Sequence, residues 1–148
     1  MADTQNFSNH VRWYPLFHFI IVPLLLLNFL SHLVRLFLAP PESGRKILAF
    51  WVLLSFVLIL MSLASRLMAL KAQDRTIRLE ERLRYKELLS PELAKRASDL
   101  PVDQIIALRF ASDEELAGLV ERTLNGEFAK TKEIKQAIKN WRADHLRV

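Results

Sequence analysis

Cysteine is absent from the chain, which excludes a disulfide framework, an iron–sulfur cluster and a thiolate zinc site. Glycine occurs only three times, which argues against a low-complexity chain, and there is no Gly-rich phosphate loop. No His-Glu-x-x-His pattern or nucleophile elbow occurs either. Formal charge is all but missing from two long stretches. Between Leu16 and Ala39 the only charge is Arg35, and between Ile47 and Ser65 there is none.

What is present is segregated. The chain has 148 residues, 51% of them hydrophobic and 25% charged, with a net charge of +5, a length and balance suited to one modest domain. A soluble domain would scatter its apolar residues among polar ones at period 2 or 3.6. Here they collect in two blocks, and nearly all the charge lies between Arg66 and Val148. That division is a membrane protein's.

Each block is long enough to cross a hydrocarbon core of roughly 30 Å as a helix. Strands are excluded, because an isolated pair would leave backbone groups unpaired in lipid. The first block is too long for a signal peptide's apolar region and lacks a small-x-small cleavage site. Pro23 predicts a kink within it. The connector Pro40-Pro41-Glu42-Ser43-Gly44-Arg45-Lys46 stops one helix and turns the chain. The expected fold is an all-α membrane protein: an N-terminal arm (1–14), a transmembrane helical hairpin (15–70, spans 16–39 and 47–66), a cytoplasmic helical stalk continuing the second helix (71–89) and a small helical domain (90–148). Positive charge after the second span (Arg66, Lys71, Arg75, Arg78, Arg82, Arg84, Lys86) and at Arg12 outweighs Arg45 and Lys46 in the turn. Both termini are therefore expected in the cytoplasm. Trp13 and Tyr14 suit one interface, Trp51 the other.

The stalk is rich in helix formers. Ala72, Thr76, Leu79 and Leu83 recur at four, three and four, a narrow apolar seam that wants a partner helix. Glu80 with Arg84 and Glu81 with Arg78 are expected as i,i+4 and i,i+3 pairs. Ser90-Pro91 starts a new helix, Pro101 opens another over VDQIIALRF, and Ser112 with Glu115 reads as a capping box ahead of Leu116, Leu119, Val120 and Leu124. Asn125-Gly126 closes that helix. Thr131 is expected to cap a last helix with Ile134, Ile138 and Trp141 on one face. Roughly 60 residues are few for an independent core, so this domain is expected to pack on the stalk, another copy or a partner.

The stretches QDRTIRLEERLRY (Gln73 to Tyr85), QIIALRFASDEEL (Gln104 to Leu116) and KEIKQAIKNWRADHLRV (Lys132 to Val148), with the opening NHVRWYPLFHF, resemble an uncharacterised family of small bacterial membrane proteins. The resemblance covers almost the whole chain. It implies a bacterial cytoplasmic-membrane protein with two spans and a helical tail, and supplies no activity, ligand or catalytic residue.

In the first span His18, Ile21, Leu25, Asn28, His32 and Arg35 share one helix face. Four of the six are polar, so this face should avoid lipid. The first reading is helix packing against Ser55, Ser62 and Ser65 of the second span, whose small side chains allow close approach and whose hydroxyls can satisfy Asn28. The second reading is haem. His18 and His32 stand two heptads apart, but each iron would need a further axial His, and the second span has none. On the terminal helix Lys132, Lys135, Lys139 and Arg142 form a basic stripe whose expected partners are lipid headgroups or another protein. A third reading gives that tail to nucleic acid, though no binding module or aromatic platform accompanies it. His10 and His145 are far apart in the chain, and His145 is expected only to help dock the tail. No catalytic residue, metal or cofactor is assigned. The function expected is a non-enzymatic, membrane-anchored interaction protein, acting as a homo-oligomer or an accessory subunit.

Overall fold

The structure is a computed structural model and describes residues 5–11, 13–40 and 44–144. The expectations on Arg12, on Pro41, Glu42 and Ser43, and on His145 fall outside them. The fold is all-helical. It comprises α1 (Val22–Leu38), α2 (Arg45–Leu88), α3 (Pro91–Ser98), α4 (Val102–Leu108), α5 (Asp113–Leu124) and α6 (Thr131–Ala137). A π-helical segment, Leu16–Ile21, leads into α1. The chain forms two compact units, one drawn from Trp13–Leu70 and the other from Met1–Arg12 with Lys71–Arg147. α2 runs through both.

The first unit is a helical hairpin. Pro23 lies at the start of α1 and has no N–H to offer the carbonyl four residues back, so the preceding turn widens. The Val22 N–H then bonds the carbonyl of Phe17, five residues earlier. At the turn, Gly44 takes φ +70°, a left-handed value that favours glycine. Its carbonyl accepts the first amides of α2, from Ile47 and Leu48. Contacts between α1 and the facing part of α2 run antiparallel: Phe17 lies under the Arg66 guanidinium, Asn28 meets Ser55, Phe29 meets Phe56 and His32 meets Trp51. In the hairpin part of α2, Leu48, Val52, Ser55, Ile59, Ser62 and Arg66 are covered at heptad spacing, and Leu54 and Leu70 are half-buried beside them.

In the second unit the last part of α2 supplies one wall of the core. Tyr85 and Leu89 join Ala94, Ala97, Leu108, Phe110, Leu116, Val120 and Ile134 in a single cluster. Ser90 Oγ caps α3 by accepting from the Leu93 amide, and Pro91 occupies its first turn. Gly126, at φ +76°, ends α5 in a Schellman arrangement: Gly126 N–H bonds Thr123 O and Glu127 N–H bonds Arg122 O.

Three local expectations are corrected here. Ser112 sits at the N-cap of α5 but makes no side-chain cap bond. The Glu115 carboxylate, instead of reaching back, accepts the amides of Lys139 and Asn140 at 3.2 and 2.9 Å. Those bonds end the last helix early. α6 stops at Ala137 and Ile138 is extended, with ψ 123°. Residues 138–142 form a non-helical strip, bent at Lys139 and Asn140, in which Ser112 N–H bonds Asn140 O, Arg142 N–H bonds Phe110 O, and Ala111 bridges Trp141. Trp141 thus reaches the core from a strip, not from a helix. Nor is Thr131 the cap. It is the first residue of α6, and Glu133 takes the free amides of Ala129 and Lys130.

Candidate functional site

The polar side chains of the hairpin meet across the helices. Asn28 Nδ2 donates to Ser55 Oγ at 2.8 Å, and the Ser55 hydroxyl donates to the Trp51 carbonyl at 2.7 Å. Ser55 is only 2% exposed, and both of its hydrogen-bonding roles are filled. Interhelical bonds of this kind contribute about 0.6 kcal/mol on average and ~1.7 at most in lipid. Ser55→Ala is expected to weaken the hairpin by about that average, read as a small fall in melting temperature in detergent. His32 stacks on Trp51, centroids 5.9 Å apart and nearly parallel. His18 stands at the entry to the helix, where Nδ1 accepts the Tyr14 amide at 3.1 Å and the ring meets Trp13 and Phe17 edge-on. Of the face read in the sequence, His18, Ile21, Leu25 and His32 are half-buried, together with Phe29, Leu33 and Leu36. Asn28, Arg35 and Ser65 are exposed.

Within the second unit, the face of α2 turned to the core carries Ile77, Glu81, Arg84 and Tyr85. Arg84 is the centre of a buried network. Its guanidinium donates to Glu81 at 3.1 Å, to Asp113 at 2.6 Å and to the Ala111 carbonyl at 2.7 Å. Arg142 approaches Glu81 from the exposed side at 3.1 Å. The network therefore ties α2 to the start of α5 and to the C-terminal strip. Arg84 pairs with Glu81 instead of the expected Glu80, and Arg78 does not. Burial pushes the Glu81 carboxyl above its ordinary value against the pull of Arg84 and Arg142. Burial likewise raises Tyr85, with the Glu81 charge adding to it. The Tyr85 hydroxyl has no hydrogen-bond partner. Tyr85→Phe is expected to leave stability unchanged or raise it by up to about 1 kcal/mol, since it removes a buried unsatisfied group and keeps the ring; thermal unfolding checks this.

The N-terminal arm docks on the same unit. Phe7, His10, Phe110 and Trp141 form an aromatic cluster with centroid separations of 4.9–5.9 Å. Lys135 Nζ lies 3.2 Å from His10 Nε2. An ammonium has only donors, so Nε2 accepts and Nδ1 donates to the Phe7 carbonyl at 2.7 Å. The Arg109 guanidinium covers the Phe110 ring at 4.2 Å and pairs with Asp144 at 3.1 Å. The Asp144 amide donates to Gln5 Oε1. The sequence marks this contact only by the aromatic and His content of NFSNHVRW, which has no helical periodicity.

The four residues of the basic stripe are divided between α6 and the segment after it. Lys135 faces His10, Lys132 lies 5.9 Å from the Phe7 ring centre, Arg142 faces Glu81, and the Lys139 amide is held by Glu115. Only Lys132 and Lys135 are on the helix. The Ala72, Thr76, Leu79 and Leu83 seam is, by contrast, exposed throughout, with Leu79 61% and Leu83 53% accessible. Among the described residues no group of three or more His, Asp or Glu side chains is arranged to hold a metal.

Fold and sites together define a class: an all-helical protein with two apolar helices long enough to cross a bilayer and a small helical unit tied together by the Arg84 network with Glu81, Asp113 and the Ala111 carbonyl. The chain belongs to the family of unknown function DUF6526, which matches residues 1–148. No curated protein and no solved structure matches it.

Proposed function

We propose that the chain is a membrane-anchored helical interaction protein, a structural or accessory subunit that works as a homo-oligomer or within a larger membrane assembly of a bacterial cytoplasmic membrane. The observation that carries this reading is the uncovered surface of the hairpin. Phe37, Leu38 and Met68 are 75%, 79% and 70% exposed, and most of the other large apolar residues between Leu16 and Met68 are exposed to a lesser degree. Water would penalise that surface by roughly 25 cal/mol per Å2, and a hydrocarbon core would not.

Two further observations support it. The arm before the first apolar helix and the domain after the second share one compact unit, which fits an even number of crossings with both ends on one side. The Lys and Arg content beyond the second span favours the cytoplasm for that side. The buried polar groups Glu81 and Arg84 of the helical unit pair with each other and with Asp113 and Arg142, which supports reading the unit as a platform offered to a partner. Gentle detergent extraction followed by native mass measurement tests the reading. Defined oligomers or co-purifying chains are expected, and a strictly monomeric species without companions would overturn it.

A further inference from the structure

The exposed seam of α2 is flanked by charges that sort by sign. On a helical wheel with 100° per residue, Thr76 and Leu83 take the a positions of a heptad, and Ala72 and Leu79 the d positions. Arg75 and Arg82 then fall at g, and Gln73, Glu80 and Glu87 at e. One flank is basic and the other acidic. Arg75, Glu80 and Glu87 enter no ion pair among the described residues, whereas Glu81, Arg84, Asp113 and Arg142 are all paired. An open groove beside the seam is lined by Arg75, Thr76, Arg78, Leu79 and Arg82. Within it Arg78 Nε is buried and without a partner. Arg82 donates to the Ser98 carbonyl through Nε and one terminal nitrogen, which leaves its other terminal nitrogen to bond elsewhere.

We propose that this seam is the interface with a second copy of the chain, packed as a parallel, in-register coiled coil. In a parallel pair each g position faces the e position five residues on in the partner. Arg75 then meets Glu80 of the partner subunit, and Arg82 meets Glu87 of the partner subunit, each twice by symmetry. An antiparallel pair would set Arg against Arg and Glu against Glu. The basic groove receives the partner's acidic flank. Ala72 to Leu83 is short for a free coiled coil, but two copies anchored the same way in one membrane meet at high effective concentration and already parallel. The inference rests on the membrane-anchored reading above and names its partner.

Because the natural chain lacks cysteine, single substitutions report cleanly. Full-length Ala72→Cys, Leu79→Cys and Leu83→Cys in lipid nanodiscs or native membranes are each expected to form a disulfide-linked dimer on mild oxidation, with Lys95→Cys on the exposed side of α3 as the control. An antiparallel pair would link at no more than one of the three. Glu80→Arg in the Leu79→Cys background is expected to cut the linked fraction several-fold, and Arg75→Glu added to it to restore most of the loss. Circular dichroism melting confirms that each variant folds. Linking no greater than the Lys95→Cys control, or a linked fraction indifferent to Glu80→Arg, overturns the proposal. If native mass measurement then still finds companions, only the seam is wrong; a lone monomer removes the wider reading as well.

Discussion

Arg84→Met is expected to lower the stability of the helical unit by about 3 kcal/mol, measured as full-length protein in detergent by thermal or denaturant unfolding. Methionine keeps most of the volume, so the loss is electrostatic. Glu81 has 5% of its side-chain surface exposed and keeps only Arg142, whose own side chain is 52% exposed. Breaking a buried pair from one side costs ~3–5 kcal/mol, because the abandoned charge stays buried. Adding Glu81→Leu is expected to recover most of the loss, since Arg142 and Asp113 can return to water. A single variant as damaging as the double would contradict this account of the network.

The sign of the pH dependence follows from Glu81. Its carboxyl in the folded protein lies above the ordinary value of 4.5 because burial outweighs the two guanidinium groups. The folded state then binds the proton more readily than the unfolded chain. Stability from this group is complete below pH 4.5 and declines as pH rises through the folded value. Glu81→Gln mimics the protonated form. It is expected to remain within about 1 kcal/mol of the natural protein at neutral pH and to flatten the decline above pH 4.5.

Phe110→Ala is expected to destabilise by ~3–5 kcal/mol, the usual range for removing a buried aromatic ring. Phe110 is fully buried and is touched by Arg109, Trp141, His10 and Lys135. The ring is shared by the arm, α6 and the C-terminal strip. Its loss is therefore expected to expose both chain ends to limited proteolysis before the hairpin is affected. Cleavage unchanged at residues 5–11 and 138–144 would show that the ring does not hold them.

The apolar blocks, the break at Ser90-Pro91, the close of α5 at Asn125-Gly126 and the Asn28–Ser55 contact were all legible, because each depends on local chemistry or helical spacing. What was not legible depends on distant residues. Glu115 looks like half of a capping box until Lys139 and Asn140 present their amides to it. That long-range competition also ends α6 at Ala137 and divides the basic stripe. On α2 the seam visible as apolar is the exposed one. The face that packs inside carries Glu81 and Arg84, whose burial only Asp113, Ala111 and Arg142 make tolerable. His10 could not be joined to Lys135 from spacing, since 125 positions separate them.

The proposed topology, two crossings of a bilayer with both ends on the cytoplasmic side, is open to a direct test. Single cysteines introduced at Ser8 in the arm, at Lys95 in the helical unit and at Lys46 in the turn allow labelling of intact cells with a membrane-impermeant maleimide. Label is expected at position 46 without permeabilisation, and at positions 8 and 95 only after it. Labelling of 8 and 95 from opposite sides, or a chain that stays in the aqueous fraction without lipid or detergent, would contradict that topology.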